Sequence, residues 1–374
     1  MQKPIQVFGN VGSPYTQKIL ALLRYRNIPY TISWGDVIHN LSLLGLQPPK
    51  PVLLPTLIFN NKDVRTDTTP IIRYLEDIYS KKSVIPNTPS VNFLNYLLED
   101  FADEWTTKYM FHYRWHFKED AENAKKMLVL QHKLNIDNDA MNGFANAIAE
   151  RQIDRLWVVG SSDDTAELID GSYKRFLKLL ENHLTNSPYM FGLRPSSSDF
   201  GLYGQLTQLV GFDPTPRHIA SQESPRCVSW VSIMSDLSGL HNMGGIGEFF
   251  GINDDSLNNK NINYFEDNND GWYSLNQLPK SLKEIFNEIG KVYIPCLIAN
   301  NEAYINNEET WEIELDGSTW RQKTFPYQSK CLNWIKDEFN NIYKVDGFEY
   351  SINDRIIKLD NLVALDKDKN TFEV

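Results

Sequence analysis

The chain has 374 residues, of which 41% are hydrophobic and 23% charged. That balance supports a core spread over two or three units and excludes the charge-rich, core-poor composition of disordered chains. With 37 Lys plus Arg against 48 Asp plus Glu the net charge is −11, the wrong sign for gripping phosphate backbones, so no nucleic-acid partner is expected.

Taken in order, Ile5-Gln6-Val7-Phe8 reads as a short strand ending in Gly9-Asn10-Val11-Gly12. Ser13-Pro14 then opens a helix whose apolar side carries Ile19, Leu22 and Leu23. Tyr30–Trp34 is a second β-rich run, and Pro48-Pro49-Lys50-Pro51 breaks the chain before a third strand at Thr56–Phe59. Asn60–Asp63 turns it into a fourth strand at Val64–Thr66, and Thr69-Pro70 then reads as an N-cap with proline at the first helical position, backed by Ile71, Ile72, Leu75 and Ile78. The order β-α-β, β-hairpin, helix is a thioredoxin-like pattern, a right-handed parallel crossover followed by an antiparallel pair.

The turn-rich stretch Pro86–Ser90 marks a boundary, placing a first domain at residues 1–83. Residues 84–245 show long helical periodicity: Phe93, Leu97, Phe101, Trp105 and Tyr109 along one expected helix at 92–117, and Leu168 to Leu180 along another at 164–185. Residues 246–374 form an extension, with a polar, aperiodic run at 253–271 expected to be an exposed loop, helices at about 281–300 and 326–342, and a β excursion around Trp311–Gly317. No apolar run is long enough for a membrane span, and the first residues lack a secretory leader's pattern. The scattered Cys227, Cys296 and Cys331 form no C-x-x-C pair, which points away from disulfides and zinc and toward a reducing, cytoplasmic setting.

Three places carry chemistry. Ser13-Pro14-Tyr15 starts a helix, where free N–H groups and the dipole favour an anion such as a thiolate; plain N-capping explains the same residues. Pro55 after Leu53-Leu54 is a candidate cis proline that would expose Leu54's backbone to an extended ligand, against the reading of an ordinary trans proline at a strand start. Asp67-Thr68-Thr69-Pro70 puts a carboxylate and hydroxyls at another helix start, suited to an ammonium-plus-carboxylate group or simply to capping.

In this order the residues resemble the glutathione transferase superfamily, in which a Ser, Tyr or Cys opens the first helix, a cis proline precedes the third strand and a Glu/Asp-Ser/Thr pair opens the third helix. Ser196-Ser197-Ser198-Asp199 is similar to that family's buried capping box, and Pro225–Trp230 to the segment opening its next helix. The likeness spans roughly residues 4–240. It implies a thioredoxin-like α/β domain followed by an all-helical one. It further implies glutathione as co-substrate, with its γ-glutamyl end on Asp67 and Thr68, its cysteinyl backbone on Leu54 beside Pro55, and its thiol activated by Ser13, with Tyr15 the rival donor. An apolar electrophile would lie between the domains against Trp105, Tyr109 and His112, the first reading of that stripe from residue type alone being core. No metal is expected at His112 and His116 despite their i, i+4 spacing. Homodimerisation follows from the resemblance, with Asp100, Asp103 and Glu104 either facing a partner's glutathione amine or forming a solvated surface. The alternative to catalysis is an inactive transferase-fold module that binds a protein, and a thiol reductase ranks last because that chemistry wants a cysteine where Ser13 stands.

Overall fold

A computed structural model describes residues 3–240 and 271–345 and two short strands at 364–366 and 371–373. The polar run at 253–271 lies outside the described residues except for Gly271.

Strands β1 (Ile5–Gly9) and β2 (Tyr30–Trp34) pair in parallel across helix α1 (Pro14–Tyr25). Only a crossover allows this, and α1 supplies it with Ile19, Leu22 and Leu23 fully buried. β3 (Thr56–Ile58) runs antiparallel to β1, and β4 (Val64–Thr66) antiparallel to β3, giving the order β2-β1-β3-β4. Between β2 and β3 lies a helix that sequence periodicity does not reveal, α2 (Val37–Leu43), because only Val37 and Leu41 are buried in its two turns. The last helix of the domain, α3 (Thr68–Ile78), begins one residue before the expected cap: Asp67 is the cap, at φ +74°, and Pro70 is the third helical residue. A proline costs no hydrogen bond there, since the first-turn N–H groups lack intrahelical partners anyway.

The expected helix at 92–117 is two helices, α4 (Pro89–Glu104) and α5 (Thr106–His116), joined at Trp105. They are followed by α6 (Lys118–His132), α7 (Asn138–Ile153), α8 (Ala166–His183), α9 (Ser197–Gly211), α10 (Pro214–Glu223) and α11 (Pro225–Met234). α9 is the buried axis, and its start is secured as the sequence indicates. Asp199 accepts from the Ser196 N–H (2.8 Å), the Ser196 hydroxyl (2.6 Å) and the Met190 N–H (3.0 Å). Gly204 lets α9 close on α1: a Cβ there would stand 2.5 Å from the Pro14 carbonyl oxygen.

The extension contributes α12 (Lys280–Glu288), a π-helical turn (Ile289–Tyr293), α13 (Ile294–Ile305), the hairpin β5 (Thr310–Leu315) and β6 (Ser318–Lys323), α14 (Pro326–Val345), and the pair β7 (Ala364–Asp366) and β8 (Thr371–Glu373). Asp316 (φ +53°) and Gly317 (φ +80°) make the two-residue hairpin turn, the conformation that an Asp-Gly pair favours. Its residues enter the shared core rather than lying on it. Trp320 has no exposed surface and stacks on Trp105 at 5.4 Å, Tyr293 lies 6.1 Å from the same ring, and Phe339 of α14 meets Phe93 of α4 at 5.3 Å.

Candidate functional site

Strand register gathers the three sequence features. Phe8 pairs with Thr56, and Thr56 with Thr66, so the loop leaving β1, the residues entering β3 and those leaving β4 share one end of the sheet. Ser13, Leu54-Pro55 and Asp67-Thr68 therefore sit along one edge, although 54 residues separate the first from the last (67 − 13). The Leu54–Pro55 bond is cis, as is Lys50–Pro51. The Leu53 carbonyl accepts from the hydroxyls of Thr56 (2.8 Å) and Thr66 (3.4 Å), which ties this loop to both strands. Leu54 precedes the first paired residue of β3, so its backbone lies outside the β1–β3 ladder.

Ser13 is the N-cap of α1: its hydroxyl oxygen accepts from the Thr16 N–H at 3.3 Å. That bond uses a lone pair and leaves the hydroxyl hydrogen to donate. The loop before it is held from several sides. Asn10 accepts from the Ser13 and Gly12 N–H groups (3.1 and 3.2 Å) and touches His132 of α6. The buried Arg114, paired with Asp213 at 2.9 Å, donates to the Gly12 carbonyl at 3.2 Å. Tyr15, the rival donor, points elsewhere, giving its hydroxyl hydrogen to the Asp103 carbonyl at 2.9 Å. Burial, with Glu104 and Asp103 nearby, pushes the Tyr15 phenol well above its usual range. As it stands, Tyr15 braces α4 against α1.

Beneath Asp67 lies a buried charge cluster that periodicity alone does not show. Lys18 is fully buried and donates to Glu99 (2.8 Å) and Asp103 (2.5 Å); Thr69 donates to Glu99 at 3.0 Å, and Arg73 reaches the other Glu99 oxygen at 3.3 Å. Burial works against both carboxylates. In Glu99 the cations Lys18 and Arg73 overcome it and hold the acid below its usual range, whereas Asp103 is pushed up. Asp100 accepts from the Tyr293 hydroxyl. Asp100 and Asp103 thus have partners within their own chain. The detectable signal was Lys18, a cation in the sequence Lys18-Ile19-Leu20-Ala21-Leu22-Leu23 whose neighbours are all core.

Burial, against the Tyr293 hydrogen bond and reinforced by Asp103 and Glu99, pushes Asp100 up to about 7. The folded protein then keeps a proton that the unfolded chain has released, so this group's contribution to stability is present at acid pH and is lost as pH rises through about 7. Asp100→Asn is expected to flatten the melting temperature between about pH 4 and 7, the interval between the unfolded and folded values; a slope identical to that of the native protein would assign the effect to another group.

The expected electrophile wall is corrected. Trp105, Tyr109 and His112 have no exposed surface. Trp320 and Tyr293 cover Trp105, the Trp105 indole N–H donates to Tyr109 (2.8 Å), and His112 bonds Ser161 (2.7 Å) while stacking on His116. Apolar residues are instead exposed beside Leu54, at Val52 and Leu53 on the cis-proline loop, and elsewhere in the first domain at Ile38 and Leu43 on α2 and at Trp34, which pairs with Gly9 at the end of β2. Among the described residues, no group of three or more His, Cys, Asp or Glu is placed to hold a metal, and no helix is long and apolar enough to cross a membrane.

A family model described as glutathione S-transferase, N-terminal domain, matches residues 7–83. The first domain is thus similar to the N-terminal domain of glutathione S-transferases. Its match contains Ser13, Pro55 and Asp67, the residues that the register brings together. The chain is also similar to two Arabidopsis thaliana proteins, glutathione S-transferase U4 (20% identical over 103 residues, 28% of this chain and 46% of that protein) and U7 (22% over 100 residues, 27% and 44%). The alignments thus span under half the length of these relatives. Among solved structures, a glutathione S-transferase of Ceriporiopsis subvermispora in complex with glutathione matches with a TM-score of 0.41 and 16% identity, over 63% of this chain and 99% of that one. One from Rhodospirillum rubrum matches at 0.39 and 14%, over 61% and 86%. The glutathione S-transferase fold, a small mixed α/β domain followed by helices, is seen directly in the element order.

Proposed function

We propose that the protein is a glutathione transferase in which Ser13 activates the glutathione thiol for attack on an apolar electrophile. The observation that carries this reading is the alignment of Phe8, Thr56 and Thr66, which brings Ser13, Leu54 and Asp67 to one sheet edge inside the matched domain. In the proposed complex the γ-glutamyl ammonium meets the Asp67 carboxylate and its carboxylate meets the N-terminus of α3 at Thr68, where helix N–H groups and the dipole favour an anion. The cysteinyl backbone pairs with Leu54, as an added strand pairs with an open edge. Ser13 then donates its hydroxyl hydrogen to the sulfur, which favours the thiolate and lowers the thiol from its free value of about 8.5. The thiol proton passes to solvent water, the thiolate attacks the electrophile's carbon, a carbon–sulfur bond forms, and the leaving group departs with its electron pair. The apolar rim of Trp34, Val52 and Leu53, rather than the sealed stripe on α5, is the surface we assign to the electrophile.

Pairing with a second copy through the outer face of α4 meets an obstacle, because α14 already lies there, with Phe339 on Phe93.

A thermal-shift titration tests the shared premise. Glutathione at a hundred times its dissociation constant should stabilise the native protein by about 2.7 kcal/mol, and Asp67→Ala should remove most of that shift, since a hydrogen bond to a charged group is worth about 1.5–3 kcal/mol. No shift for either protein at millimolar glutathione would remove the co-substrate and leave the protein-binding module as the better reading.

A further inference from the structure

The extension reaches the candidate site directly. The Tyr327 hydroxyl, on the first turn of α14, donates to Asp67 at 3.0 Å across 260 positions of sequence. Asp67 is itself in an unusual backbone conformation for a residue with a side chain, φ +74°. Such a conformation persists where its surroundings hold it.

The tyrosine is delivered by a rigid support. Asn300, which has no exposed surface, accepts from the Phe325 N–H (2.8 Å) and the Trp311 indole (3.2 Å) and donates to the Phe325 carbonyl (3.0 Å) and to Ser329 (3.3 Å). The three bonds to Phe325 and Ser329 fix the entry to α14 on both sides of Tyr327, and the Trp311 bond ties it to β5. Trp334 packs edge-on against the Tyr327 ring at 6.1 Å, and Phe325 lies at 6.3 Å. Cys331, Leu332 and Ile335 are buried and anchor the helix. The arrangement resembles the supporting shell that orients a ligand-binding carboxylate, in which an outer group fixes the orientation of the inner one.

We propose that Tyr327 is a positioning residue of the glutathione site, a hydroxyl supplied by the C-terminal extension that orients the Asp67 carboxylate for an ammonium ligand. The inference rests on the glutathione reading given above. A carboxylate offers about four acceptor positions over its two oxygens. Tyr327 uses one on Oδ2 and the Thr69 N–H another, so acceptor positions remain for the ligand.

The electrostatics agree. Burial raises the Asp67 carboxyl, and the Tyr327 hydrogen bond, followed by Lys18 of α1, works against that rise. The other ionisable groups around it are Glu99, Asp103 and Glu104 of α4 and Cys331 of α14, with Tyr15 beyond Tyr327. The carboxylates all disfavour a further negative charge at Asp67, which makes a neutral donor the fitting partner. Removing the hydroxyl should therefore let Asp67 protonate at higher pH and lose its attraction for an ammonium group.

The test is the affinity for glutathione, measured by calorimetry on the full chain from about pH 5 to 8, for the native protein, Tyr327→Phe, Asp67→Asn and the double variant. Phenylalanine keeps the ring and its packing on Trp334, and the melting temperature without ligand checks the fold. We expect Tyr327→Phe to weaken binding roughly five- to tenfold at pH 7 and to move the acid limb of binding to higher pH, and to have no effect when Asp67 is already Asn. Unchanged or tighter binding by Tyr327→Phe, or an equal loss with and without Asp67, would overturn the proposal while leaving glutathione binding intact. Failure of the native protein to bind glutathione would overturn both readings.

Discussion

Replacing Lys18 by methionine is expected to destabilise the fold by about 3–5 kcal/mol, the cost of breaking a buried ion pair from one side. Lys18 joins Glu99 at 2.8 Å and Asp103 at 2.5 Å, and neither its side chain nor that of Glu99 meets solvent. Methionine fills similar volume, so little cavity forms, and the loss comes from carboxylates left in a low-dielectric interior. The sign with pH is distinctive. Glu99 lies below its unfolded value because Lys18 and Arg73 outweigh its burial, so its contribution is present above the unfolded value and is lost as pH falls toward 2. The deficit of Lys18→Met, measured by urea denaturation, should be largest near neutral pH and narrow below about pH 4. Adding Glu99→Gln and Asp103→Asn to Lys18→Met should recover much of the loss by removing the stranded charges. A single variant as stable as the native protein at pH 7 would mean that water reaches the cluster.

Ser13→Ala should leave the fold near native and impair turnover. Loss of the cap on Thr16 costs about 1 kcal/mol, a modest fall in melting temperature. Loss of the donor to the thiolate returns the thiol toward its free value of about 8.5, where only about 3% is ionised at pH 7, so kcat/KM at pH 7 should drop about 10- to 30-fold on a substrate that the native protein uses. The defect should shrink at pH 9, where free thiol ionises without help. Full turnover at pH 7 would dismiss Ser13, and a loss that persists undiminished at pH 9 would make its role structural.

The parts of the molecule that were legible in the sequence depend on neighbours in the chain. The four strands and the first and third helices announce themselves by alternation, capping residues and proline placement. The capping box at Ser196–Asp199 and the Asp316-Gly317 turn follow the same rule, because a cap or a two-residue turn is satisfied within a few positions. Ser13, Pro55 and Asp67-Thr68 were likewise readable, each marking the start of an element. α2 escaped because two buried residues make no period.

What the sequence by itself determined, then, is the order of the first domain's four strands and of its first and third helices, its likeness to a transferase α/β unit, and the residue types at its edge. Tertiary structure alone decided which of them meet. Strand register joined Ser13 to Asp67, and no local pattern encodes a register between strands 50 residues apart (β1 from Ile5, β3 from Thr56). Residue type alone favoured core for Trp105, Tyr109 and His112 and the family resemblance favoured a pocket, and Trp320 and Tyr293, from far along the chain, decided it by closing over Trp105. Tyr327 carried no signal at all, because a hydroxyl's partner is set by where the core places its helix, and that placement is a sum of distant apolar contacts rather than a motif.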